Sequence, residues 1–260
     1  MIKLIVSDMD GTMLLPKKQQ LEPGVLELVE KLVDAGYQFV AASGRQYANL
    51  YRMFGKTADR ISYICENGSL VIHNRKVIRQ SVISEEIKIQ LVDEILRHST
   101  AELLYSTVRG SYIQPKSDYY QDLIVNRMKN DTIITDDLRG VEEKCIKLSI
   151  YEREEVSQEE EQYWTGKYGD RLCVVRSSEK WLDFMPKGTN KGTALKLILE
   201  CESVSREECM GFGDNDNDVE MMKQMKYSYG MRSGSEALKR VVYALVDHPS
   251  EILEQLIAVL

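Results

Sequence analysis

The sequence predicts a mixed α/β protein in which a core with a parallel β-sheet is interrupted by an inserted α+β domain. The first observation is that short apolar runs alternate with amphipathic helical patterns near both ends of the chain. This alternation is typical of a parallel sheet with helices on its faces. The second observation is that the middle of the chain shows runs of strands with helices segregated between them, as in a separate α+β domain. We therefore predict a core of residues 1–82 and 185–260 and an inserted domain at 83–184.

The first part of the core is predicted from apolar strands that alternate with one-sided helices. In residues 22–35 the apolar side chains share one helical face. Pro23 suits the first turn of this helix, and Gly36 suits the position just past its end. The predicted elements in order are a strand at Ile2–Ser7, the helix at 22–35, a strand at 37–43, a helix around 50–54, a strand at Ile61–Cys65 and hairpin-like strands within 66–81.

The same patterns continue through the rest of the chain. For the inserted domain they predict a helix at 85–97, strands at 102–108 and 111–114, a helix near 118–128, a strand at 144–151, a helix around 154–165 and strands at 172–178 and 181–185. For the returning core they predict helices at 192–200, 217–225, 235–242 and 249–260, with strands at 208–213, 227–231 and 243–246 between them.

The composition excludes several classes of protein. Of the 260 residues, 43% are hydrophobic and 29% are charged, which argues against disorder. The formal net charge is -7 and no Lys/Arg-rich run is present, so a nucleic-acid partner is not expected. No apolar run approaches the ~20 residues of a membrane span, and the start of the chain lacks the long apolar region of a signal peptide. We expect a cytoplasmic protein without a membrane partner, as a monomer or weak dimer.

The residues that most often bind transition metals show no local pattern. The five cysteines are dispersed without CxxC spacing and are expected to be reduced thiols. The three histidines, His73, His98 and His248, lie far apart in the sequence and give no zinc-binding pattern.

Polar groups follow three predicted strands of the core. The first strand ends in DMDGT, the second in SGR and the strand at 208–213 in GDNDND. Each segment alone has a structural explanation as a turn or a helix cap. Because ligands of open parallel sheets bind beyond the carboxyl ends of the strands, all three segments are expected to meet at one site.

The residue types at this edge suit phosphoryl transfer. Asp8 and Asp214, from different strands, offer the oxygen ligands that Mg²⁺ prefers together with water and phosphate oxygens. Ser43 and backbone N–H groups at a helix start can hold phosphate oxygens. Lys191, just before a predicted helix, supplies a positive charge. In such a site, positioning and charge neutralisation do most of the work.

At this point the chain resembles the haloacid dehalogenase superfamily. The segments DMDGT, SGR, Lys191 and GDNDND match its four motifs in order and spacing, and the large insertion resembles the type IIB cap of the Cof-like subfamily. The segment ENGSLV and residues 186–195 strengthen this match. The resemblance implies a Rossmann-like core, a cap domain at 83–184 and a requirement for Mg²⁺.

The resemblance also implies a role for each motif residue. Asp8 would be the nucleophile that forms an aspartyl-phosphate, and Asp10 the general acid and base. The implied metal ligands are Asp8, the backbone carbonyl of Asp10, and Asp214, with Asp218 orienting a metal-bound water. The implied phosphate and substrate contacts are Ser43, the N–H groups of Met9 and Gly44, Lys191, Asn217 and Arg45.

Some alternatives stay open at this point. Lys187 competes with Lys191, which we prefer because it directly precedes GTAL. Arg45 could contact substrate or form a structural salt bridge. The segments 232–235 and 247–250 depart from the family pattern, which puts the substrate preference in doubt.

The leading functional hypothesis is a Mg²⁺-dependent phosphatase acting on a small phosphorylated metabolite, a sugar phosphate above all. A phosphomutase of the phosphomannomutase kind would use the same four motifs. A non-catalytic sensor of a phosphorylated metabolite is the alternative from a different class. The presence of both Asp8 and Asp10 counts against the sensor, because binding alone needs neither a nucleophile nor an acid.

Overall fold

The computed structural model describes residues 1–15, 18–98 and 100–259, and these form two compact units. The core unit contains Met1–Arg45, Leu50–Arg79 and Asn190–Leu260, and the inserted unit contains Gln46–Asn49 and Gln80–Thr189.

The N-terminal segment of the core unit begins with a fully buried strand. Pro23 occupies the first turn of the helix that follows, and Val25, Val29 and Leu32 form its buried face. The elements up to residue 80 are β1 (Leu4–Asp8), α1 (Pro23–Asp34), β2 (Gln38–Ala42), α2 (Tyr47–Met53), a 3₁₀ turn (Gly55–Arg60), β3 (Ser62–Cys65), a 3₁₀ turn (Glu66–Gly68), β4 (Leu70–His73) and β5 (Lys76–Gln80). Of these, the start of α2 and the last residue of β5 are assigned to the inserted unit.

The inserted unit is built on a second sheet. Its elements are α3 (Glu85–Arg97), β6 (Glu102–Ser106), β7 (Ser111–Ile113), α4 (Asp118–Asp122) continued by a π-helical turn (Leu123–Arg127), β8 (Thr132–Ile134), a 3₁₀ turn (Leu138–Gly140), β9 (Lys147–Tyr151), α5 (Gln158–Tyr168), β10 (Leu172–Ser178) and β11 (Trp181–Pro186). The strand order is β10-β11-β9-β6-β7-β8, and only β7 and β8 pair in parallel. Leu91 and Ile95 of α3 and Trp164 of α5 are buried in the main apolar cluster of this unit.

The C-terminal segment completes the core unit. Its elements are α6 (Lys191–Glu202), a 3₁₀ turn (Arg206–Glu208), β12 (Cys209–Gly213), a 3₁₀ turn (Asp216–Asp218), α7 (Val219–Met222), β13 (Tyr227–Met231), α8 (Glu236–Lys239), β14 (Ala244–Val246) and α9 (Ser250–Ala258). None of the helices in the described ranges is long and apolar enough to cross a membrane.

The core sheet has the strand order β14-β13-β12-β1-β2-β3-β4-β5. The strands from β14 to β3 pair in parallel, and β4 is antiparallel to β3. Because β1 lies between β2 and β12, the strand order reverses around it. Such a switch point at the carboxyl ends of parallel strands is where ligands bind.

The predicted α/β fold class with a parallel-sheet core is confirmed. The following elements are among those that differ from prediction. The helix α5 starts at Gln158 rather than near 154, because the side chain of Ser157 caps it in a capping box with Glu160. The strand β8 was not predicted, since three residues are too short for a periodic signal. The predicted helix at 217–225 is a 3₁₀ turn followed by the short α7, and Leu260 of the predicted last helix lies outside the described residues.

Candidate active site

A cluster of three carboxylates lies at the switch point of the core sheet. Asp8 is the last residue of β1, and Asp214 directly follows β12. Asp218 is fully buried at the end of the turn after β12. One oxygen atom from each of these three side chains lies within 4.8 Å of the others. The structure thus brings together carboxylates separated by some 200 positions of sequence, and we call them the carboxylate cluster.

The cationic partner of this cluster is Lys191, the first residue of α6. Its Nζ lies 2.5 Å from Asp8 Oδ1 and 2.6 Å from Asp218 Oδ1, and its side chain is 1% exposed. Asn190 caps α6 through a capping box and so fixes where the helix begins. The competing Lys187 is exposed and donates to the carbonyl oxygen of Gly169 in the inserted unit. Of the two lysines, only Lys191 contacts the carboxylate cluster.

The other contacts of the cluster fix its carboxylates in place. Asp218 Oδ2 accepts hydrogen bonds from the backbone N–H groups of Asp214 (3.1 Å) and Asn215 (3.2 Å), so it holds the loop after β12. Thr12 Oγ1 donates to Asp214 Oδ1 at 3.0 Å. The N–H of Ser235, in the loop after β13, donates to the carbonyl oxygen of Asp214 at 2.8 Å. Thr12 and Ser235 have no assigned role in the sequence motifs, because such contacts depend on the folded loops.

The burial of this cluster perturbs its ionisation. Desolvation, followed by the charge of Asp218, raises the pKa of the Asp8 carboxyl well above its ordinary value. Desolvation and Asp218 likewise raise the pKa of Asp214 to about 6. Burial acts to lower the pKa of the Lys191 ammonium, but Asp218 and Asp8 outweigh it and raise that pKa. Three carboxylates face one ammonium, so the site carries surplus negative charge.

These donor groups fit a hard divalent cation. Asp8 Oδ2 is buried and has no hydrogen-bond partner among the described residues. A buried carboxylate oxygen without a donor is costly unless a ligand satisfies it. Carboxylate oxygens are the ligands that Mg²⁺ prefers, and a bound cation would offset the surplus negative charge. Asp8 and Asp214 are therefore suited to hold Mg²⁺.

Gly11 makes room for this arrangement. Its φ of +87° lies in the left-handed region, and a Cβ atom there would lie 2.3 Å from Asp214 Oδ2. A side chain at position 11 would therefore displace the carboxylate that Thr12 orients.

We expect Gly11→Ala to lower the stability of the fold by the ~1–3 kcal/mol of a strained backbone site, and to weaken any activation by Mg²⁺ because Asp214 is displaced. Urea unfolding measures the first effect and a Mg²⁺ titration of turnover the second. Gly24→Ala is the matched control, because a Cβ at position 24 meets nothing within 4 Å. An unchanged Mg²⁺ dependence in Gly11→Ala would show that Asp214 tolerates the displacement.

Asp10 lies beside the cluster in a more open setting. Its side chain is 50% exposed, and Arg45 Nη2 contacts Asp10 Oδ1 at 2.6 Å. Arg45 Nε lies 2.8 Å from Asp10 Oδ2, and Ser43 Oγ donates to the same oxygen at 3.3 Å. Gln19 Oε1 accepts from Arg45 Nη1 at 2.6 Å. Of the two interpretations of Arg45, the structure contains the salt bridge, and a contact of Arg45 with substrate stays a prediction.

A strained turn supports the loop after β2. Asn67 has a φ of 54°, which is uncommon for a residue other than glycine. Its N–H donates to the carbonyl oxygen of Ser43 at 3.1 Å, and its Oδ1 accepts from Asn217 Nδ2 at 3.2 Å. Asn67 therefore links the loop after β2 to the loop after β12, and contacts of Asn217, Met9 and Gly44 with phosphate stay predictions.

Comparisons with known proteins cover nearly the whole chain. The family model of haloacid dehalogenase-like hydrolases matches residues 5–252. The chain is 24% identical over 237 residues to the 5-amino-6-(5-phospho-D-ribitylamino)uracil phosphatase YbjI of Escherichia coli (strain K12), covering 91% of this chain and 88% of that protein. It is 23% identical over 269 residues to the pyridoxal phosphate phosphatase YbhA of the same strain, covering 98% and 97%. The solved structure of the subclass IIB sugar phosphatase BT4131 has a similar fold, with a TM-score of 0.82, 18% identity and 98% of each chain covered.

Proposed function

This chain belongs to the haloacid dehalogenase-like hydrolases, and from that premise we propose that it is a Mg²⁺-dependent phosphatase of small phosphorylated metabolites. The observation that carries the proposal is the carboxylate cluster with its buried ammonium and the unpartnered Oδ2 of Asp8. A protein that only bound phosphorylated metabolites, without catalysis, would gain nothing from buried carboxylates at its binding site, because carboxylates repel a phosphate dianion.

Within this proposal Asp8 is the nucleophile. Its carboxylate attacks phosphorus, the ester oxygen departs, and an aspartyl-phosphate forms that water then hydrolyses. Lys191 holds Asp8 Oδ1 and adds positive charge where the phosphate is bound. Asp8, Asp214 and the backbone carbonyl of Asp10 would hold Mg²⁺, which would supply positive charge to offset that of the carboxylates and the phosphate. Asp218 fixes the loop that carries Asp214.

Asp10 is suited to proton transfer in this proposal. It is half exposed, which gives it access to a substrate oxygen. Its carboxyl group would protonate the departing alkoxide and later accept a proton from the attacking water. The salt bridge to Arg45 holds the Asp10 side chain before substrate binds.

We propose a sugar phosphate or a similar polar monoester as the substrate. The relatives YbjI and YbhA are named for two chemically different phosphate esters, and BT4131 is titled a sugar phosphatase. The inserted region, 83–184, is proposed to be a cap that excludes water from the reacting phosphate, as lids do in other enzymes. Its place in the chain, between the two halves of the core, supports this role.

We expect release of inorganic phosphate from p-nitrophenyl phosphate to stop when the metal is removed by EDTA and to return with Mg²⁺, because the carboxylate cluster needs charge neutralisation to accept a dianion. Ca²⁺ should support less activity, since its looser coordination positions Asp8 poorly. A phosphate-release assay with thoroughly chelated enzyme is the measurement.

Each alternative has a distinct outcome in the same assay. Undiminished turnover without metal would exclude the proposed mechanism. Binding of phosphorylated metabolites with no turnover would favour a sensor. A requirement for a sugar bisphosphate, with an isomeric sugar phosphate as product, would favour a phosphomutase. A screen of phosphorylated metabolites ranked by kcat/KM then identifies the substrate.

A further inference from the structure

A second group of side chains that could hold a metal ion belongs to the inserted unit, whereas the carboxylate cluster belongs to the core unit. His98, Glu152 and Glu160 each offer one ligand atom, and these atoms lie within 4.8 Å of one another. They come from three elements: the residue after α3, the residue after β9 and the first turn of α5. His98 Nδ1 is 3.8 Å from Glu152 Oε1, and His98 Nε2 is 4.0 Å from Glu160 Oε1. Nothing in the proposed phosphatase mechanism uses these three residues.

The orientation of Glu160 is fixed by the backbone. Its Oε2 accepts hydrogen bonds from the N–H (2.9 Å) and the hydroxyl (3.0 Å) of Ser157 in the capping box of α5. This leaves Oε1 facing His98 Nε2. Because the helix cap already fixes Oε2 of Glu160, Oε1 could bind an ion at His98 with little further loss of side-chain conformational entropy.

Thr100 orients the other two residues. Its Oγ1 lies 3.4 Å from His98 Nδ1 and donates to Glu152 Oε1 at 3.3 Å. A hydrogen bond donated by Nδ1 to Thr100 Oγ1 would leave Nε2 with a free electron pair for a metal ion. A hydrogen bond of this kind from the second ring nitrogen is typical of metal-binding histidines.

The carboxylate of Glu152 is largely buried and has no close ion-pair partner among the three residues of this group. Its side chain is only 9% exposed, and its ion-pair contact with His98 is long, at 3.8 Å. Burial, followed by the charge of Glu160, raises the pKa of the Glu152 carboxyl. Lys116 lies nearby, but its ammonium donates to the carbonyl oxygens of Ile95 and His98. A buried carboxylate facing a second carboxylate favours a bound cation.

An open cleft of about 470 Å³ adjoins the group, with His98, Glu160, Tyr163 and Trp164 in its lining. An ion at His98 therefore has access to solvent and room for a further ligand. One imidazole nitrogen with two carboxylates is a donor set typical of Zn²⁺ and related ions, whereas Mg²⁺ favours oxygen ligands alone. Ligands about 2.0–2.1 Å from a tetrahedral zinc lie ~3.4 Å apart. The three candidate ligand atoms lie within 4.8 Å of one another, so the side chains would have to move together by up to about 1.4 Å to bind one ion.

We propose that His98, Glu152 and Glu160 form a binding site for a divalent ion of the Zn²⁺ class, with an open coordination position in the cleft. The ion would join the end of α3, the end of β9 and the start of α5. It would therefore stabilise the inserted unit by mass action, through binding to the folded state alone. The spacing of the histidines in the sequence does not indicate this site, because two of its three ligands are glutamates from other elements.

The test is Zn²⁺ binding to the full chain by isothermal titration calorimetry, in excess Mg²⁺ and in an Asp214→Asn background that weakens the carboxylate cluster. We expect about one Zn²⁺ per chain and a rise in Tm that Mg²⁺ alone does not produce. His98→Ala should weaken binding by at least about tenfold, since loss of an outer partner alone costs ~10–100-fold. His248→Ala, in the core unit, is the matched control and should bind as the parent does.

Glu160→Gln separates the metal site from the helix cap. Glutamine can still accept the Ser157 hydrogen bonds, so the Tm without Zn²⁺ should stay unchanged while Zn²⁺ binding weakens. The proposal is overturned if the Asp214→Asn chain shows no saturable Zn²⁺ binding, or if His98→Ala and His248→Ala bind Zn²⁺ equally well. In either case His98 is an ion-pair partner of the two glutamates and nothing more.

Discussion

Replacing Asp8 with asparagine is expected to reduce phosphatase activity below detection for every substrate. The variant has no carboxylate to attack phosphorus and loses a ligand of the proposed metal site. It also leaves Lys191 with Asp218 as its remaining carboxylate partner in the carboxylate cluster. With p-nitrophenyl phosphate, stopped-flow measurement should show no burst of p-nitrophenol. Asp216→Asn, on the exposed part of the loop after β12, is the matched control and should keep parental activity.

Asp10→Asn should behave differently, although Asp10 lies only two residues away. The nucleophile and the backbone carbonyl remain, and only proton transfer is lost, which is typically worth ~10²–10⁴-fold. The loss should be large for a sugar phosphate, whose alkoxide needs a proton, and smaller for the first step with p-nitrophenyl phosphate. A burst followed by a slow steady rate is the expected trace, because hydrolysis of the intermediate still needs the base. A burst in Asp8→Asn and none in Asp10→Asn would reverse the two assignments.

Lys191→Met is expected to have the second large effect, on both stability and activity. It removes the ammonium that contacts Asp8 and Asp218 and leaves these two buried carboxylates, beside Asp214, without it. Removal of one partner from a buried ion pair costs about 3–5 kcal/mol of folding free energy. Loss of a group that stabilises transition-state charge costs ~10²–10³-fold in kcat. Urea unfolding and steady-state kinetics measure the two losses.

The metal provides a further readout for Lys191→Met. Mg²⁺ should raise the Tm of this variant more than that of the parent, because the cation is then the main source of positive charge in the cluster. Lys187→Met is the matched control, since that side chain is exposed and donates to the carbonyl oxygen of Gly169 within its own unit. Equal losses in the two variants would show that neither lysine has a special role.

The positions of the carboxylate cluster and Lys191 could be predicted from sequence because these residues occupy positions that local rules define. Asp8 and Asp214 come directly after buried apolar runs, and Lys191 begins a helix that Asn190 caps. Parallel strands place their carboxyl ends at one edge, so the sequence order of these segments already implies their proximity. Lys191 rather than Lys187 contacts Asp8 and Asp218, and its role in binding phosphate stays a prediction.

The supporting contacts could not be predicted in this way. The hydrogen bonds of Thr12 to Asp214 and of Asn217 to Asn67 join loops whose conformations no periodic pattern encodes. The salt bridge between Arg45 and Asp10 depends on side-chain direction, as does the contact of His98 with Glu160. In β8 the three residues pair with β7, which a local pattern cannot show. These features follow from tertiary geometry, to which a single sequence gives little access.

The position of β1 at the centre of the core sheet has a consequence for biosynthesis. Leu4 of β1 pairs with Gln38 on one side and with Cys209 on the other. While the ribosome is still making the intervening segments, one edge of this apolar strand has no β12 to pair with. Long-range parallel pairing is slow to form, and open apolar edges favour aggregation. A nascent or truncated chain without β12 therefore lacks Asp214 and is prone to aggregation. Pairing of β12 with β1 covers the open edge and brings Asp214 next to Asp8 in the same step.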